Sequence, residues 1–290
     1  MNFSVFIFKN SKRATIPVAL FFAVSVGWAA GETYKDLIEK AYNLSLQKDR
    51  VQAMNILTGA LKREGKKSSA QKELSAALEQ VSKVFYSDKA QQLYELGLSL
   101  KNTDPGTAAA KLQEASRLEP DNISIEIALG RQSVAMGDCD GAGARVNKHR
   151  ELFQAVEELR LLAAQVSLCQ GRLDDYANLR IPQDLKNSSL NLFWLSAEAE
   201  YLQKNANPSK SQEATQNMTK ISAVFPETFY WKWKTELDLK LKAEKSAQRY
   251  LSLCKTMTSR LQREFLAEPL LCRRTTEVET FLKKTNNSEV

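Results

Sequence analysis

Glycine and proline are scarce in these 290 residues, 11 of one and 7 of the other, about half of ordinary globular usage for the two together. An all-β sandwich or barrel needs a turn rich in these residues every 8–12 positions or so, so that class is disfavoured. Collagen-like and low-complexity chains go with it. Histidine is scarcer still: His149 stands alone. One histidine excludes a two-histidine metal face and a His-rich zinc site. A Ser-His-Asp arrangement would have only that residue to use. No run of five Lys or Arg occurs, which leaves nothing to form a nucleic-acid stripe. Gly137, Gly141 and Gly143 lie close together, but no G-x-x-x-x-G-K-[ST] pattern follows them, so a phosphate loop is excluded. What remains is a helical protein with little catalytic equipment, read as no enzyme, with no cofactor and no metal.

The net charge of +7 is concentrated at the two ends. Lys9, Lys12 and Arg13 stand in the first 31 residues without a single acid, which leaves 38 basic against 34 acidic residues in the remainder. Residues 32–226 balance, and the excess lies after Glu227. The three basic residues precede an apolar stretch from Ile16 to Ala30, shorter than the roughly 20 residues of a membrane span. Small residues at Gly27, Ala29 and Gly31 then supply the −3 and −1 positions of a cleavage site. Residues 1–31 therefore read as an export signal cut after Ala29 or Gly31, leaving no stable membrane span; an uncleaved amino-terminal anchor is the competing reading. The first cysteine is Cys139, so no lipobox is present. An exported chain resides in the periplasm or outside the cell. In such an oxidising compartment the even set Cys139, Cys169, Cys254 and Cys272 favours disulfides over four separate thiols. Four cysteines permit three connectivities.

A helical period repeats along the rest of the chain. Leu93, Leu96-Gly97 and Leu100 are followed by Ala108, Leu112, Ala115 and Pro120. Leu37, Ala41, Leu44, Ala53, Leu57 and Ala60 fit the same template upstream. Downstream come Leu129-Gly130 with Gly137-Asp138, then Ala163-Ala164 with Gly171 to Tyr176. Trp194, Tyr201, Ala214 and Pro226 suggest a fifth copy, and Trp231, Ala247 and Leu251 a sixth. This pattern resembles the tetratricopeptide repeat, whose 34 residues form two antiparallel helices. The copy at 93–120 lacks one residue in its inter-helix turn. An amphipathic segment with Leu74, Ala77-Leu78, Val81 and Val84-Phe85 fits no repeat position. The expected fold is all-α, a right-handed superhelical solenoid of antiparallel helix pairs over residues 32–265. A helix from Lys245 to Glu264, a break at Glu268-Pro269 and a capping helix carrying Val278, Phe281 and Leu282 should complete it within residues 266–290. The tail from Asn286 should fray.

The resemblance also implies a disulfide pattern and a binding face. In the repeat register Cys139 begins the second helix of one copy and Cys169 ends the first helix of the next, so the register favours 139–169. The chain reversal at Pro269 then favours 254–272. Carried over position by position, the exposed concave surface comprises Tyr42, Tyr94, Lys101, Asn102, Arg131, Gln165, Gln203 and Lys232. The two-carboxylate clamp known in chaperone-binding members would need basic and Asn residues on three successive helices, and Arg131 and Gln165 do not supply them. Asp138/Asp140 and Asp174-Asp175 read as helix caps, and His149 as a packed residue. The functional reading is a scaffold or adaptor that binds a protein or peptide during envelope assembly. The alternative is a cell-wall glycan module stacking sugars on the cluster Phe229, Tyr230, Trp231 and Trp233, beside Lys232 and Lys234.

Overall fold

The computed structural model describes residues 32–64, 68–101, 103–256 and 271–287. The expected export signal, Asn102, Met257, Leu261 and the break at Glu268-Pro269 lie outside them. The described residues form helices and no strand. In chain order the helices are α1 Tyr34–Leu46, α2 Arg50–Arg63, α3 Ser69–Lys83, α4 Asp88–Leu100, α5 Pro105–Leu118, α6 Ile123–Ala135 and α7 Cys139–Lys148. They continue with α8 Glu157–Cys169, α9 Leu173–Leu179, α10 Asp184–Asn187, α11 Asn191–Lys204, α12 Pro208–Ile221, α13 Pro226–Asp238, α14 Glu244–Thr256 and α15 Thr275–Asn287. The last helix thus extends two residues into the tail expected to fray.

Local sequence sets most of these boundaries. Asp49, Ser68, Ser87, Asp104, Asn122, Asp138 and Asn207 each accept a first-turn backbone N–H through the side chain, a cap that contributes about 1 kcal/mol. Pro105, Pro208 and Pro226 occupy first helical positions, where the missing N–H is no loss. Asp174 and Asp175 do not cap, contrary to expectation. Arg172 holds the cap position of α9, the two acids lie in its first turn, and Asp175 pairs with Arg172 at 3.2 Å. There they still complement the positive end of the helix dipole.

Five hairpins share one turn. In each, an N–H reaches back five residues to a carbonyl: Asp49 to Leu44, Asp138 to Ser133, Arg172 to Ser167, Asn207 to Leu202 and Leu241 to Glu236, all at 2.8–3.0 Å. The residue before each donor is left-handed: Lys48, Gly137, Gly171, Ala206 and Lys240. This is the Schellman termination. Glycine accepts that conformation freely, whereas an L side chain there costs about 1–2 kcal/mol. The α4/α5 turn is different. Its Asp104 N–H reaches back only four residues, to Leu100 at 2.8 Å, as the missing residue in that copy's sequence requires.

Consecutive helices pack as antiparallel pairs, α1/α2, α4/α5, α6/α7, α8/α9, α11/α12 and α13/α14. The first helices α6, α8, α11 and α13 also stack on one another in one layer. The misfit segment forms α3, which joins that layer between α1 and α6. This is a tetratricopeptide-like solenoid with one inserted helix. Small residues permit the close approach: a Cβ on Gly97 would lie 2.7 Å from Leu112 Cγ and 3.2 Å from the Ala108 carbonyl. The core runs along the array and is aromatic at its carboxyl end, where Phe225, Tyr230, Trp231, Trp233 and Tyr250 surround Val278 of α15.

A buried polar knot ties the inserted helix in. Arg50 at the start of α2 pairs with Glu119 at 2.6 Å, both 5% exposed. It also donates to the Val84 carbonyl at the end of α3 and lies 4.3 Å from the Tyr86 ring. Glu119 accepts the Tyr86 and Ser87 N–H groups at 2.8 Å. Asn122 donates to both Glu119 and Val84 at 3.2 Å. Burial pushes the Glu119 carboxyl up, but Arg50 and the other donors outweigh it and hold the pKa below the ordinary value. Both expected cysteine pairs are present. Cys139 and Cys169 join the start of α7 to the end of α8, with Cα atoms 5.8 Å apart. Cys254 of α14 meets Cys272 ahead of α15 at 5.6 Å.

Candidate functional site

Along the stacked first-helix layer, charged side chains gather at two places that α6 and α8 share, together forming a strip. Arg131 and Val134 are three apart on α6, and Glu158 and Gln165 seven apart on α8, so each pair shares a helix face. At one end of the strip, Tyr94 and Leu98 of α4 meet Ile127 and Arg131 of α6 and Glu158 of α8 around a small pocket. Glu158 pairs with Lys83 of α3 at 2.9 Å and with Arg131 at 3.7 Å. Burial raises the Glu158 pKa, but Arg131 and Lys83 overcome that and keep it below the ordinary value. Burial, then Glu158, pushes the Tyr94 hydroxyl up. The Glu158 carboxyl therefore stays ionised and the Tyr94 hydroxyl protonated near neutrality.

At the other end the chain's own carboxyl-terminal segment lies in the strip. A cavity of about 40 Å³ is lined by Val134, Gln165, Glu200 and Glu227 together with Leu271, Arg273 and Arg274. Arg274 pairs with Glu200 of α11 at 3.2 Å and with Glu227 of α13 at 3.8 Å. Its guanidinium lies 4.5 Å from both the Tyr230 and Trp231 rings. The Cys272 N–H donates to Glu227 at 3.0 Å, and Arg273 donates to the Val134 carbonyl at 3.5 Å. Burial alone would lower the Arg274 pKa, but Glu200 and Glu227 outweigh it and raise it. Glu200 is held low, since Arg274 and Lys204 prevail over burial. Glu227 goes the other way, because burial dominates there.

The eight residues carried over from the repeat register do not form one surface. Tyr94, Arg131 and Gln165 lie on the strip. Asn102 is outside the described residues. Arg131 is 5% exposed and Lys101 7%, which overturns their expected placement on an exposed face. Tyr42 donates to Gln80 of α3 at 3.0 Å, toward the inserted helix. Gln203 is turned to Ser211 and Thr235. Lys232 sits with Gln216 and Thr219 along a different groove, against α12. The aromatic cluster is core. Tyr230, Trp231 and Trp233 are buried, so they present no ring face to a sugar. Lys83, Glu158, Glu200, Glu227 and Arg274 escaped the sequence reading. They come from five different helices or their flanks and share no spacing motif.

His149 caps α7 and is buried. Burial, then Lys148, lowers its pKa below the ordinary 6.5. The unfolded chain therefore binds this proton at a higher pH than the folded one. Its contribution to stability is complete above about 6.5 and declines as pH falls below that value toward the folded pKa. Denaturant titrations at pH 7.5 and 5.5 should show a loss of stability at the lower pH that is absent in His149→Gln. An identical loss in the variant would assign it to other groups.

No protein-family model matches this chain, and no curated protein does. Among solved structures, it is similar to the crystal structure of a tetratricopeptide repeat protein from Parabacteroides merdae. The identity is 14% and the TM-score 0.47, over 82% of this chain and 99% of that one.

Proposed function

We propose that this tetratricopeptide-like solenoid is an exported scaffold that holds a protein partner along its first-helix strip and serves as an adaptor in the cell envelope. The strip itself is the carrying observation. Its charged groups are arranged in ion pairs across helices rather than around a nucleophile, an arrangement suited to recognising charge and shape. Two disulfides support a location outside the reducing cytosol, as does the basic-then-apolar start of the sequence.

Replacing Tyr94 with a photo-crosslinking phenylalanine derivative keeps the aromatic packing against Phe85, 5.2 Å away. Irradiation of cells should give a discrete protein adduct at this position and none at Glu213, on the exposed face of α12. Equal labelling at both positions would remove the strip as the binding face. Finding no adduct at either position would count against a protein partner on this face. For export, replacing Ala29 and Gly31 together by bulky residues should accumulate an unprocessed precursor. A wild-type protein purified with Met1 still in place would overturn the cleaved-signal reading.

A further inference from the structure

Resting on the reading of the strip as a binding face, we infer that its Glu200–Glu227 end is a guanidinium-recognition subsite for an arginine-bearing segment of a partner protein, held closed by the chain's own Arg274. Everything such a site needs is assembled around Arg274. Two carboxylates reach it from different helices. Two aromatic faces flank it, and cation–π contact strengthens when the cation is withdrawn from water. Arginine is well matched to such a site because its planar, weakly hydrated head both pairs with carboxylates and stacks on rings. Trp231 is itself fixed by an indole N–H donated to Ser196 at 2.9 Å, so this wall of the cage is positioned independently of its occupant.

The occupant is a short segment with its own tether. Cys272 is bonded to Cys254 of α14, and Arg274 immediately precedes α15. Leu271, Arg273 and Arg274 lie alongside α6, α8, α11 and α13, the same layer that continues to Tyr94 and Glu158. A segment with the same chemistry, supplied by a partner, would make the same contacts once this one leaves. In the wild-type chain its apparent affinity is multiplied by the small fraction of molecules in which the cage is open, and so falls.

The probe is a fluorescent peptide, acetyl-Leu-Ser-Arg-Arg-Thr-Thr-amide, which copies residues 271–276 with serine for Cys272. Anisotropy titration of Arg274→Ala should show saturable one-to-one binding, with the wild-type chain binding at least about tenfold more weakly. Citrulline in place of the second arginine keeps the shape and removes the charge. It should weaken binding to Arg274→Ala by about tenfold or more, as should Glu200→Gln added to that variant. A folded Arg274→Ala chain that ignores the peptide, or binds the citrulline form equally well, overturns the inference. Should Arg274→Ala fail to fold, Cys254→Ser with Cys272→Ser retains the arginine and releases its tether. That variant should bind the peptide more tightly than wild type, and unchanged binding overturns the inference equally. An adduct at Tyr94 that persists while the peptide tests fail would leave the scaffold reading standing and remove only the guanidinium subsite.

Discussion

Glu119→Ala is expected to destabilise the fold by about 3–5 kcal/mol, the usual consequence of removing one partner of a buried ion pair. The loss exceeds that of a surface pair, about 0–1 kcal/mol, because Arg50 stays buried with its charge uncompensated. The Tyr86 and Ser87 N–H groups lose their acceptor in the same substitution. Glu119→Gln keeps an acceptor for them and should cost less. The wild-type carboxyl is held below its ordinary value, so the stability it confers is full above about pH 4.5 and is lost as pH falls below that toward the folded pKa. Urea titration at pH 7 should show the midpoint falling with the slope unchanged. A change below about 1 kcal/mol would mean that Arg50 and Glu119 behave as a solvated pair.

The second large effect concerns the disulfides. Each closes a short loop, with sequence separations of 30 and 18, worth about 3 kcal/mol by the chain-entropy estimate. The two should fail differently. Cys139→Ser with Cys169→Ser loosens α7 against α8, in the middle of the array, where helices on both sides still hold them. Cys254→Ser with Cys272→Ser releases the segment leading into α15 and with it the cover over Val278, Tyr230 and Trp233. Hydrogen exchange should therefore quicken locally around α7–α9 in the first variant. In the second it should quicken over α13–α15. Non-reducing peptide mapping of the wild-type protein should recover 139–169 and 254–272, and a 169–254 crosslink would contradict the fold.

The repeat was legible because close packing leaves a local imprint. Gly97 and Gly130 sit where a Cβ would strike the neighbouring helix, and Gly137 and Gly171 sit where the chain must turn left-handed. The 139–169 pair followed from that register, since the ends of adjacent helices are set by the hairpin itself; 254–272 followed from the break expected at Pro269. The inserted helix was legible only as a misfit. Of the strip, the register gave Tyr94, Arg131 and Gln165, but not Lys83, Glu158, Glu200, Glu227 or Arg274. Lys101 and Arg131 occupy the register positions of a surface, but their burial depends on what the neighbouring helices place over them. Tyr176, a large polar-tipped residue, is fully buried because Tyr201 stacks on it at 4.8 Å and Glu198 accepts its hydroxyl at 2.8 Å. Neither partner is visible in a local window. Glu200 and Arg274 stand 74 residues apart, beyond any spacing rule.

The contact from Arg273 to the Val134 carbonyl spans 139 residues, in a fold whose packing mostly joins neighbouring helices. Local contacts form early, and distant ones must first meet the entropy of closing a long loop. A chain emerging amino-terminus first can stack α1 to α14 before residues 271–287 follow them. The Glu200–Glu227 end of the strip is then expected to stay open until that segment docks on it. Order of synthesis would thus give the subsite a brief receptive period, whose length is set by the time α15 takes to dock.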